Sequence, residues 1–261
     1  MKKIINPKLS IITINYNNKE GLSRTIKSVL DQTWQEFEYL IIDGGSNDGS
    51  QGVIDSNSNF LTHRVSEKDK GIYHAMNKGI KASSGTYLLF LNSGDVLRGP
   101  SVLEEANHQL QHFDIVYTDL ELINNGKSRI DSFPDILSFK QVAYNYLPHP
   151  SSFIKRELFE KYGLYDESLK ICSDWKFFTE VICKHNATHK HIEGVLTCFF
   201  ENGISASPEN REIITKERHE YLSSNFSAFT SDYDEFDRLN KKFNKIHKSM
   251  IVKLLKKLRL L

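Results

Sequence analysis

The sequence has 261 residues, of which 39% are hydrophobic and 26% are charged, and its formal net charge at pH 7 is +1. This length allows one large α/β domain, or one domain with an appendage. Because the charge is close to zero, no global field favours nucleic acid. The three cysteines form no CxxC pair, which argues against a disulfide framework or a zinc knuckle.

The sequence contains no evident targeting or membrane-spanning segment. The first ten residues, MKKIINPKLS, include basic residues but no sustained apolar run, so a signal peptide is not expected. No segment reaches the roughly 18 continuous apolar residues of a spanning helix. We therefore expect a protein of the cytoplasm, or of the cytoplasmic face of a membrane.

The first half of the chain alternates strand and helix patterns. Leu9–Ile14 is short, β-branched and apolar, which is typical of a buried strand. The polar turn that follows leads into a helix in which Leu22, Ile26, Val29 and Leu30 share one face. The later predicted elements are strands at 39–42, 63–66, 87–91 and 114–118 and helices at 51–55, 72–81 and from Pro100.

This alternation predicts an α/β fold with a mostly parallel sheet flanked by helices. In such sheets ligands bind beyond the carboxyl ends of the strands. Polar residues cluster after the predicted strands, in the segments 15–17, 43–46 and 92–95 and at Asp119. The pattern therefore predicts a small-molecule site at one edge of the sheet.

The second half is less regular. Asn124–Gly126 favours a hairpin turn, and 147–152 is a loop. Short helices are predicted over 155–162, ended by Gly163, and over 175–183, with Asp174 at or just before the start. A helical tail is predicted from Ser207 onward.

Five stretches, taken in order, carry a resemblance to a known family. They are LSIITINYNN, YLIIDGGSNDGS, DKGIYHAMNKGI, GTYLLFLNSGD and HPSSFIKRELFEKYGLYDESLKICSDWKFF. Together they resemble the inverting family 2 glycosyltransferases, and more narrowly the bacterial exopolysaccharide and lipopolysaccharide branch with its colanic-acid-type transferases. The resemblance, which spans about Leu9 to Glu180, implies a GT-A fold, a nucleotide-diphosphate sugar donor, a divalent metal and a single carboxylate base.

The resemblance also implies which residues bind the donor. Thr13 and Tyr16 match positions that hold the nucleotide base and ribose, and Asp43 begins a turn that reaches uracil in relatives. Many relatives carry two acidic residues where this chain has Asp43–Gly44, so the preference for a UDP-sugar is less firmly implied. The expected donor-binding residues are Thr13, Asn15, Tyr16, Asp43, Gly45, Asp69, Lys70, Gly71, Asn77, Ser93 and Gly94. Of these, Asp69, Lys70, Gly71 and Asn77 match the loop and helix beside the donor phosphates in the family.

The stretch FLNSGD matches the aspartate-rich metal motif of the family. Asn92 and Gly94 replace acidic residues there, and Asp95 remains. The resemblance therefore implies Asp95 as the protein ligand of Mg²⁺ or Mn²⁺, which often take one or two carboxylates plus substrate phosphates. Without the family, Asn92–Asp95 is also a good strand-end turn.

Asp174 matches the position of the general base, which takes a proton from the acceptor hydroxyl. Asp174 is equally suited to be a helix N-cap, and Asp166 and Glu167 are rival bases. His149, in a proline-flanked loop, is a further acceptor-side or metal-side candidate.

The function expected from these residues is metal-dependent, inverting sugar transfer to a hydroxyl of a surface polysaccharide or glycolipid. The alternatives are a nucleotidyltransferase on a related fold, and a non-catalytic nucleotide-sugar-binding or membrane-docking protein with a degraded metal motif. The expected partners are the nucleotide-sugar donor and a glycan or lipid-linked glycan acceptor, without nucleic acid. The expected domain is 1–205, with a donor half at 9–120 and an acceptor half at 121–205, followed by a helical extension at 206–261.

The last part of this extension is basic and amphipathic. Residues 238–261 contain seven lysines and two arginines, no acidic residue, and apolar side chains near helical spacing. Such a helix suits an anionic membrane surface, which would make the protein peripheral on the inner face of the plasma membrane. The alternative is a helix that packs on its own domain with its lysines in water.

Overall fold

The computed structural model describes residues 7–201, 203 and 207–247. Along the chain, two compact units meet between Ile214 and Thr215, and the first unit carries the sheet. The predicted limits of the domain and of its two halves stay predictions.

Within the described residues the sheet has nine strands. They are β1 (Leu9–Asn15), β2 (Phe37–Asp43), β3 (His63–Ser66), β4 (Tyr87–Phe90), β5 (Val96–Leu97), β6 (Ile115–Asn124), β7 (Lys127–Asp131), β8 (Ser152–Lys155) and β9 (His189–Phe200). The α-helices are α1 (Lys19–Leu30), α2 (Ser50–Ser56), α3 (Ile72–Ala82), α4 (Val102–Asn107), α5 (Arg156–Tyr162), α6 (Ser173–Cys183), α7 (Arg211–Asn225) and α8 (Ser227–His247).

The strand order is β3-β2-β1-β4-β8-β6-β9-β5, with β7 paired to β6. Strands β3, β2, β1 and β4 are parallel to one another, which confirms the α/β fold predicted for the first half. Strand β8 runs antiparallel between β4 and β6. Strand β9, which lies parallel to β6, was not predicted, because its polar and glycine-containing sequence HKHIEGVLT hides the strand period.

Two apolar layers cover the two faces of the sheet. Ile12 and Ile14 of β1 pack with α3, α5 and α6, whereas Leu9 and Ile11 pack with α1, α2 and α4. This division follows from the two-residue period of a strand. The burial of both faces explains why β1, β2 and β4 read as continuous apolar runs.

Gly79 has a packing role in the structure that offsets its low helix propensity. It lies inside α3, and a Cβ atom at this position would stand 2.5 Å from Cγ2 of Ile12. The missing side chain therefore lets α3 lie directly on β1. The propensity cost of glycine in a helix is offset here by close packing on the sheet.

The described part of the second unit, up to His247, is helical except at Phe226, as predicted for the tail. Helix α8 ends its described length at His247, so the predictions for 248–261 lie outside the described residues. Within the described ranges, no helix combines the length and the apolar character needed to cross a bilayer.

Candidate active site

The candidate site lies where three neighbouring parallel strands end. Asn15 at the end of β1 is opposite Asp43 at the end of β2. Phe90 at the end of β4 pairs with Ile12, so the turn after β4 reaches the same level. The N–H of Ser93 in that turn donates to the carbonyl of Ile14 at 2.9 Å. The structure therefore brings the three predicted polar segments together at one edge. Asp119 does not follow a strand as predicted, because it lies within β6, with its Oδ1 2.9 Å from Nε2 of His191.

Asp43 is the centre of a buried hydrogen-bond network. Its carboxylate has no exposed surface and accepts from Asn15 Nδ2 (2.6 Å), Ser66 Oγ (2.6 Å), and both the hydroxyl (2.6 Å) and the N–H (2.9 Å) of Ser46. Burial acts to raise the pKa of Asp43, but these hydrogen bonds outweigh it and hold the pKa below its usual value. The Asp43 carboxylate thus links the ends of β1 and β3 to the turn after β2. Its direct contact with the nucleotide base stays a prediction.

Two other residues that were expected to bind the sugar donor, Thr13 and Gly45, do not present a side chain at this edge. Thr13 has no exposed surface, and its hydroxyl lies 3.0 Å from the hydroxyl of Tyr39, so its side chain belongs to the core below the edge. Gly45 has φ +78°, and a Cβ atom there would come within 3.2 Å of the backbone nitrogen of Lys68. Glycine is therefore required for the turn after β2.

Tyr16 presents an aromatic ring at the edge. The residue is 68% exposed, although it directly follows a fully buried strand. A Cβ atom on Gly44 would stand 3.1 Å from Cδ2 of Tyr16 and 3.4 Å from Oδ2 of Asp69. Ring, glycine and carboxylate therefore lie close together at the edge, and the absence of a side chain on Gly44 allows this approach.

Asp69 has one engaged and one unengaged carboxylate oxygen. Oδ1 lies 2.6 Å from Nζ of Lys78 and 2.9 Å from Nδ1 of His74. Oδ2 is buried and has no hydrogen-bond partner among the described residues. A buried acceptor of this kind is expected to meet a donor, here one from a ligand.

Lys70 and Gly71 lie beside Asp69 and line a cavity of about 300 Å³. Its wall includes the start of α3, with Tyr73 and His74, and the segment around Glu167 and Lys170. Gly71 has φ +150°, and no atom lies within 4 Å of its Cβ position. Of the expected phosphate-side residues, these two face open space.

Asn77 does not face open space. It is 2% exposed, and its Nδ2 donates to the carbonyl of Tyr165 at 2.9 Å and to Oε1 of Glu167 at 2.9 Å. The N–H of Tyr165 donates to Oδ1 of Asn77 at 3.0 Å. The structure therefore places Asn77 between α3 and the segment before α6, and its expected contact with donor phosphates stays a prediction.

The turn Asn92–Asp95 is closed by its own last residue. The N–H of Asn92 donates to Oδ2 of Asp95, and the N–H of Asp95 donates to the carbonyl of Asn92, both at 2.9 Å. Asp95 is 5% exposed, and burial raises its pKa to about 7. Gly94 has φ +115°, a backbone conformation that favours glycine.

The donor atoms of this turn fit a hard divalent cation. Oδ1 of Asn92 is buried without a hydrogen-bond partner among the described residues. Only Oδ2 of Asp95 accepts a hydrogen bond from them, so an oxygen of each side chain is left for another ligand. Carboxylate and amide oxygens suit Mg²⁺ and Mn²⁺. Across the described residues, no three His, Cys, Asp or Glu side chains form a metal cluster, so a cation here depends on a ligand that completes its shell.

Asp174 opens α6 and is held by one hydroxyl. Tyr73 Oη donates to Oδ1 of Asp174 at 2.9 Å and also contacts the carbonyl of Ile171. Asp174 is partly exposed. Its side chain caps no backbone N–H among the residues described, so the structure does not use it as the alternative N-cap.

The rival carboxylates are engaged elsewhere. Asp166 lies 2.6 Å from Nζ of Lys176, and Glu167 accepts from Asn77. His149 is 6% exposed, stacks on Phe90 with ring centroids 4.9 Å apart, and lies 2.8 Å from the hydroxyl of Tyr165. Burial lowers the pKa of His149, so a core role describes it better than an acceptor-side role.

Sequence reasoning missed the residues that hold this site together. They are Asn18, Thr25, Ser66 and Tyr73. Thr25 accepts from the N–H of Gly94 at 2.9 Å and donates to the carbonyl of Asp95 at 2.7 Å. Asn18 Nδ2 donates to the carbonyl of Ser93 at 2.7 Å. Only Asn18 gives a signal, as an N-cap residue before α1.

Comparison with known proteins agrees with this geometry. The profile of glycosyl transferase family 2 matches residues 10–163. An uncharacterized glycosyltransferase of Mycobacterium tuberculosis is 36% identical over 183 residues, which cover 66% of this chain and 67% of that protein. A PGL/p-HBAD biosynthesis glycosyltransferase of Mycobacterium bovis is 27% identical over 218 residues, which cover 80% of this chain and 84% of that protein.

Solved structures share the fold. S. aureus TarS 1-349 in complex with UDP-GlcNAc has a TM-score of 0.65 at 17% identity, over 83% of this chain and 66% of that chain. The chain spans 36% of a longer TarS chain. The mannosyltransferase PcManGT from Pyrobaculum calidifontis, in complex with GDP-Man and Mn²⁺, has a TM-score of 0.59 at 12% identity, over 96% and 83%.

These structures confirm the predicted GT-A fold with its C-terminal helices. The family profile covers more than half of the chain and ends after β8 and α5, so it includes the whole edge from Asn15 to Asp95. The chain belongs to glycosyl transferase family 2 and is a glycosyltransferase.

Proposed function

We propose that this enzyme transfers a sugar from a UDP-sugar to a hydroxyl group of the acceptor, with inversion at the anomeric carbon and with Mn²⁺ or Mg²⁺. The observation that carries the proposal is a set of three buried oxygen atoms at one edge. Oδ1 of Asn15, Oδ2 of Asp69 and Oδ1 of Asn92 have no hydrogen-bond partner among the described residues. Buried acceptors of this kind suit a ligand rich in O–H and N–H donors or a cation.

The exposed ring of Tyr16 supports a nucleotide base at this edge. Aromatic side chains stack on any base, so the ring by itself does not select one. Oδ2 of Asp69 is a buried acceptor that suits the N3–H of uracil, and we propose uracil as the base. The TarS structures with UDP and UDP-GlcNAc agree with this choice.

The roles of the chain's own residues follow from these positions. Asn92 and Asp95 would hold the cation, which when bound neutralises charge on the leaving diphosphate. Gly94 keeps the backbone beside the turn free of a side chain. Asp174 takes the proton of the acceptor hydroxyl as that oxygen attacks the anomeric carbon from the face opposite the diphosphate.

The acceptor class rests on the family branch. We propose a surface polysaccharide or glycolipid of the cell envelope, as in the lipopolysaccharide and colanic-acid-type transferases that the sequence resembles. The similarity to a PGL/p-HBAD biosynthesis glycosyltransferase supports a role in a biosynthetic pathway.

Helix α8 supports a peripheral position on an anionic membrane surface. Phe236, Leu239, Phe243 and Ile246 are each at least half exposed and follow helical spacing. Lys241, Lys242 and Lys245 lie on the same part of the helix. We propose that this part of α8 docks on the inner face of the plasma membrane. Loss of co-sedimentation with phosphatidylglycerol vesicles in a triple Lys241, Lys242 and Lys245→Gln variant would support docking, and absence of binding by the intact protein would contradict it.

A ligand screen tests the central proposal. Thermal unfolding is measured with UDP, GDP, CDP and TDP, each with Mn²⁺ and with EDTA, because a ligand of the folded state must raise Tm. UDP release is then measured with UDP-linked glucose, galactose, N-acetylglucosamine and N-acetylgalactosamine, with water as acceptor. We expect UDP with Mn²⁺ to give the largest rise in Tm, and one UDP-sugar to be turned over fastest. Binding without any turnover would favour the non-catalytic alternative, and no binding at all would contradict the proposal.

A further inference from the structure

Tyr73 on α3 reaches across to the carboxylate at the start of α6. Its hydroxyl donates to Oδ1 of Asp174 at 2.9 Å and also contacts the carbonyl of Ile171. Tyr73 is 5% exposed, and its ring packs against Tyr165 with centroids 5.7 Å apart. The side chain of Tyr73 is therefore held in place by its neighbours, and its hydroxyl lies within hydrogen-bond distance of the Asp174 carboxylate.

The chemistry of this hydroxyl allows only one role toward a carboxylate. Burial, and then the charge of Asp174, raise the pKa of Tyr73 well above its usual value. The hydroxyl therefore keeps its proton and acts as a donor. Asp174, in contrast, takes no other hydrogen bond from the residues that the structure describes, so Oδ2 has no donor among them.

We propose that Tyr73 is a positioning residue for the general base: it occupies Oδ1 of Asp174 and thereby assigns the acceptor hydroxyl to Oδ2. This inference rests on the proposed function of Asp174. The acceptor O–H bond breaks as its proton passes to Oδ2. The acceptor oxygen forms its bond to the anomeric carbon, and the bond from that carbon to the diphosphate breaks, with the electron pair leaving on the diphosphate.

The other groups near Asp174 do not supply this contact. His149 and Tyr165 are close enough for its charge to affect them. Their polar atoms are paired with each other at 2.8 Å, and the structure gives neither a hydrogen bond to Asp174. Among the described residues, Tyr73 is thus the side chain that fixes the orientation of this carboxylate.

The position of Tyr73 also ties the base to the donor side of the site. Tyr73 is the second residue of α3, and only Ile72 separates it from the segment Asp69–Gly71. A ligand that orders those three residues therefore also orders the start of α3. The orientation of Asp174, the proposed base, therefore depends on α3 beside the donor as well as on its own helix α6.

The test compares Tyr73→Phe with Tyr87→Phe. Both changes remove one buried tyrosine hydroxyl that contacts a backbone carbonyl, that of Ile171 for Tyr73 and that of Phe113 for Tyr87, at the opposite end of β4. The assay is release of UDP from the UDP-sugar that the wild-type enzyme turns over fastest, measured as kcat and KM across pH. Asp174→Asn is measured in parallel, with UDP binding followed by thermal shift.

For Tyr73→Phe we expect kcat to fall about tenfold with the KM of the donor unchanged, since only the base is disturbed. The acidic limb of the kcat profile should move up by roughly one pH unit, because the ionised carboxylate has lost a donor. Tyr87→Phe should leave the limb in place.

Other results would be decisive in different ways. An acidic limb in Tyr73→Phe that coincides with that of Tyr87→Phe and of wild type would overturn the positioning role while leaving Asp174 as the base. Normal turnover by Asp174→Asn, or no turnover of any UDP-sugar by the wild-type enzyme, would overturn the proposed function and this inference with it.

Discussion

The side chain of Asn77 pairs with the backbone of Tyr165 as a neighbouring peptide would. Its Nδ2 donates to the Tyr165 carbonyl at 2.9 Å, and its Oδ1 accepts from the Tyr165 N–H at 3.0 Å. This pair ties α3, which follows the donor side, to the segment that leads to Asp174. One buried amide thus joins the two halves of the candidate site.

Replacing Asn77 by Asp should destabilise the fold by about 2–4 kcal/mol, because an acidic side chain cannot donate to Tyr165 or Glu167 and adds a buried charge. Urea unfolding measures this loss. Asn47→Asp on the exposed loop after β2 is the matched control, with an expected change below about 0.5 kcal/mol. Equal effects of the two variants would contradict the pairing.

Tyr16→Ala should separate binding from stability. The ring is 68% exposed, so its removal should change the free energy of unfolding by less than about 0.5 kcal/mol. If the ring stacks on the nucleotide base, the affinity for UDP should fall about 10- to 100-fold. Calorimetric titration with UDP checks this, and unchanged affinity would remove Tyr16 from the donor site.

Asp95→Asn should abolish the part of UDP binding that depends on metal. The variant retains an oxygen that can accept from the N–H of Asn92, so the turn should persist. It lacks the charged ligand that a divalent cation prefers. We expect the rise in Tm with UDP and Mn²⁺ to shrink to the value measured in EDTA. Asp55→Asn on α2 is the control, and a full metal-dependent rise in Asp95→Asn would mean that the cation binds elsewhere.

Gly79→Ala should destabilise the protein by about 1–3 kcal/mol, because its Cβ atom would stand 2.5 Å from Ile12. Gly52→Ala on α2 provides the matched control. No atom lies within 4 Å of the new Cβ there, so alanine should stabilise by about 0.4–1 kcal/mol. Opposite signs in urea unfolding are the expected result, and a neutral Gly79→Ala would refute the close contact between α3 and β1.

The ion pair of Asp166 and Lys176 should give an acid-dependent share of stability. Burial acts to raise the pKa of Asp166, but the hydrogen bonds from Lys176 and Ser168 hold it at about 2. Because the folded pKa is lowered, this stability is present above about pH 4 and is lost as pH falls toward 2.

Asp166→Asn should therefore cost about 1 kcal/mol at pH 7, after allowance for solvent screening, and the difference from wild type should vanish as pH approaches 2. Urea unfolding at a series of pH values measures it. Glu220→Gln, in the exposed pair with Lys216 on α7, should change little at any pH. A constant difference for Asp166→Asn across this range would contradict the pairing.

The sequence patterns predict most of the fold, for physical reasons that particular elements illustrate. Strands β1, β2 and β4 are buried on both faces, so their apolar runs are continuous and easily read. Strand β9 shows no regular alternation of buried and exposed positions and contains Gly194, so its pattern is weak. Gly79 lowers the predicted helicity of α3, although the packing on Ile12 requires it.

The site is predictable at the level of segments but not of side chains. The strand ends mark the edge, and Asp95 and Asp174 stand out by type and position. Whether the side chain of Thr13 lies in the core or at the ligand site depends on the neighbouring strand β2. There the hydroxyl of Tyr39 lies 3.0 Å from that of Thr13. Asn77 and Tyr73 act across about 90–100 sequence positions, a separation that local patterns do not encode.

The two hydrogen bonds of Thr25 limit how the metal turn can be exchanged. Since Thr25 lies on α1 and is hydrogen-bonded to both Gly94 and Asp95, the turn is not stabilised by its own residues alone. A graft of the stretch Asn92–Asp95 into another scaffold would need a hydroxyl at the matching place on the helix. A metal motif with more acidic residues can therefore be engineered here only if α1 and the turn are changed together.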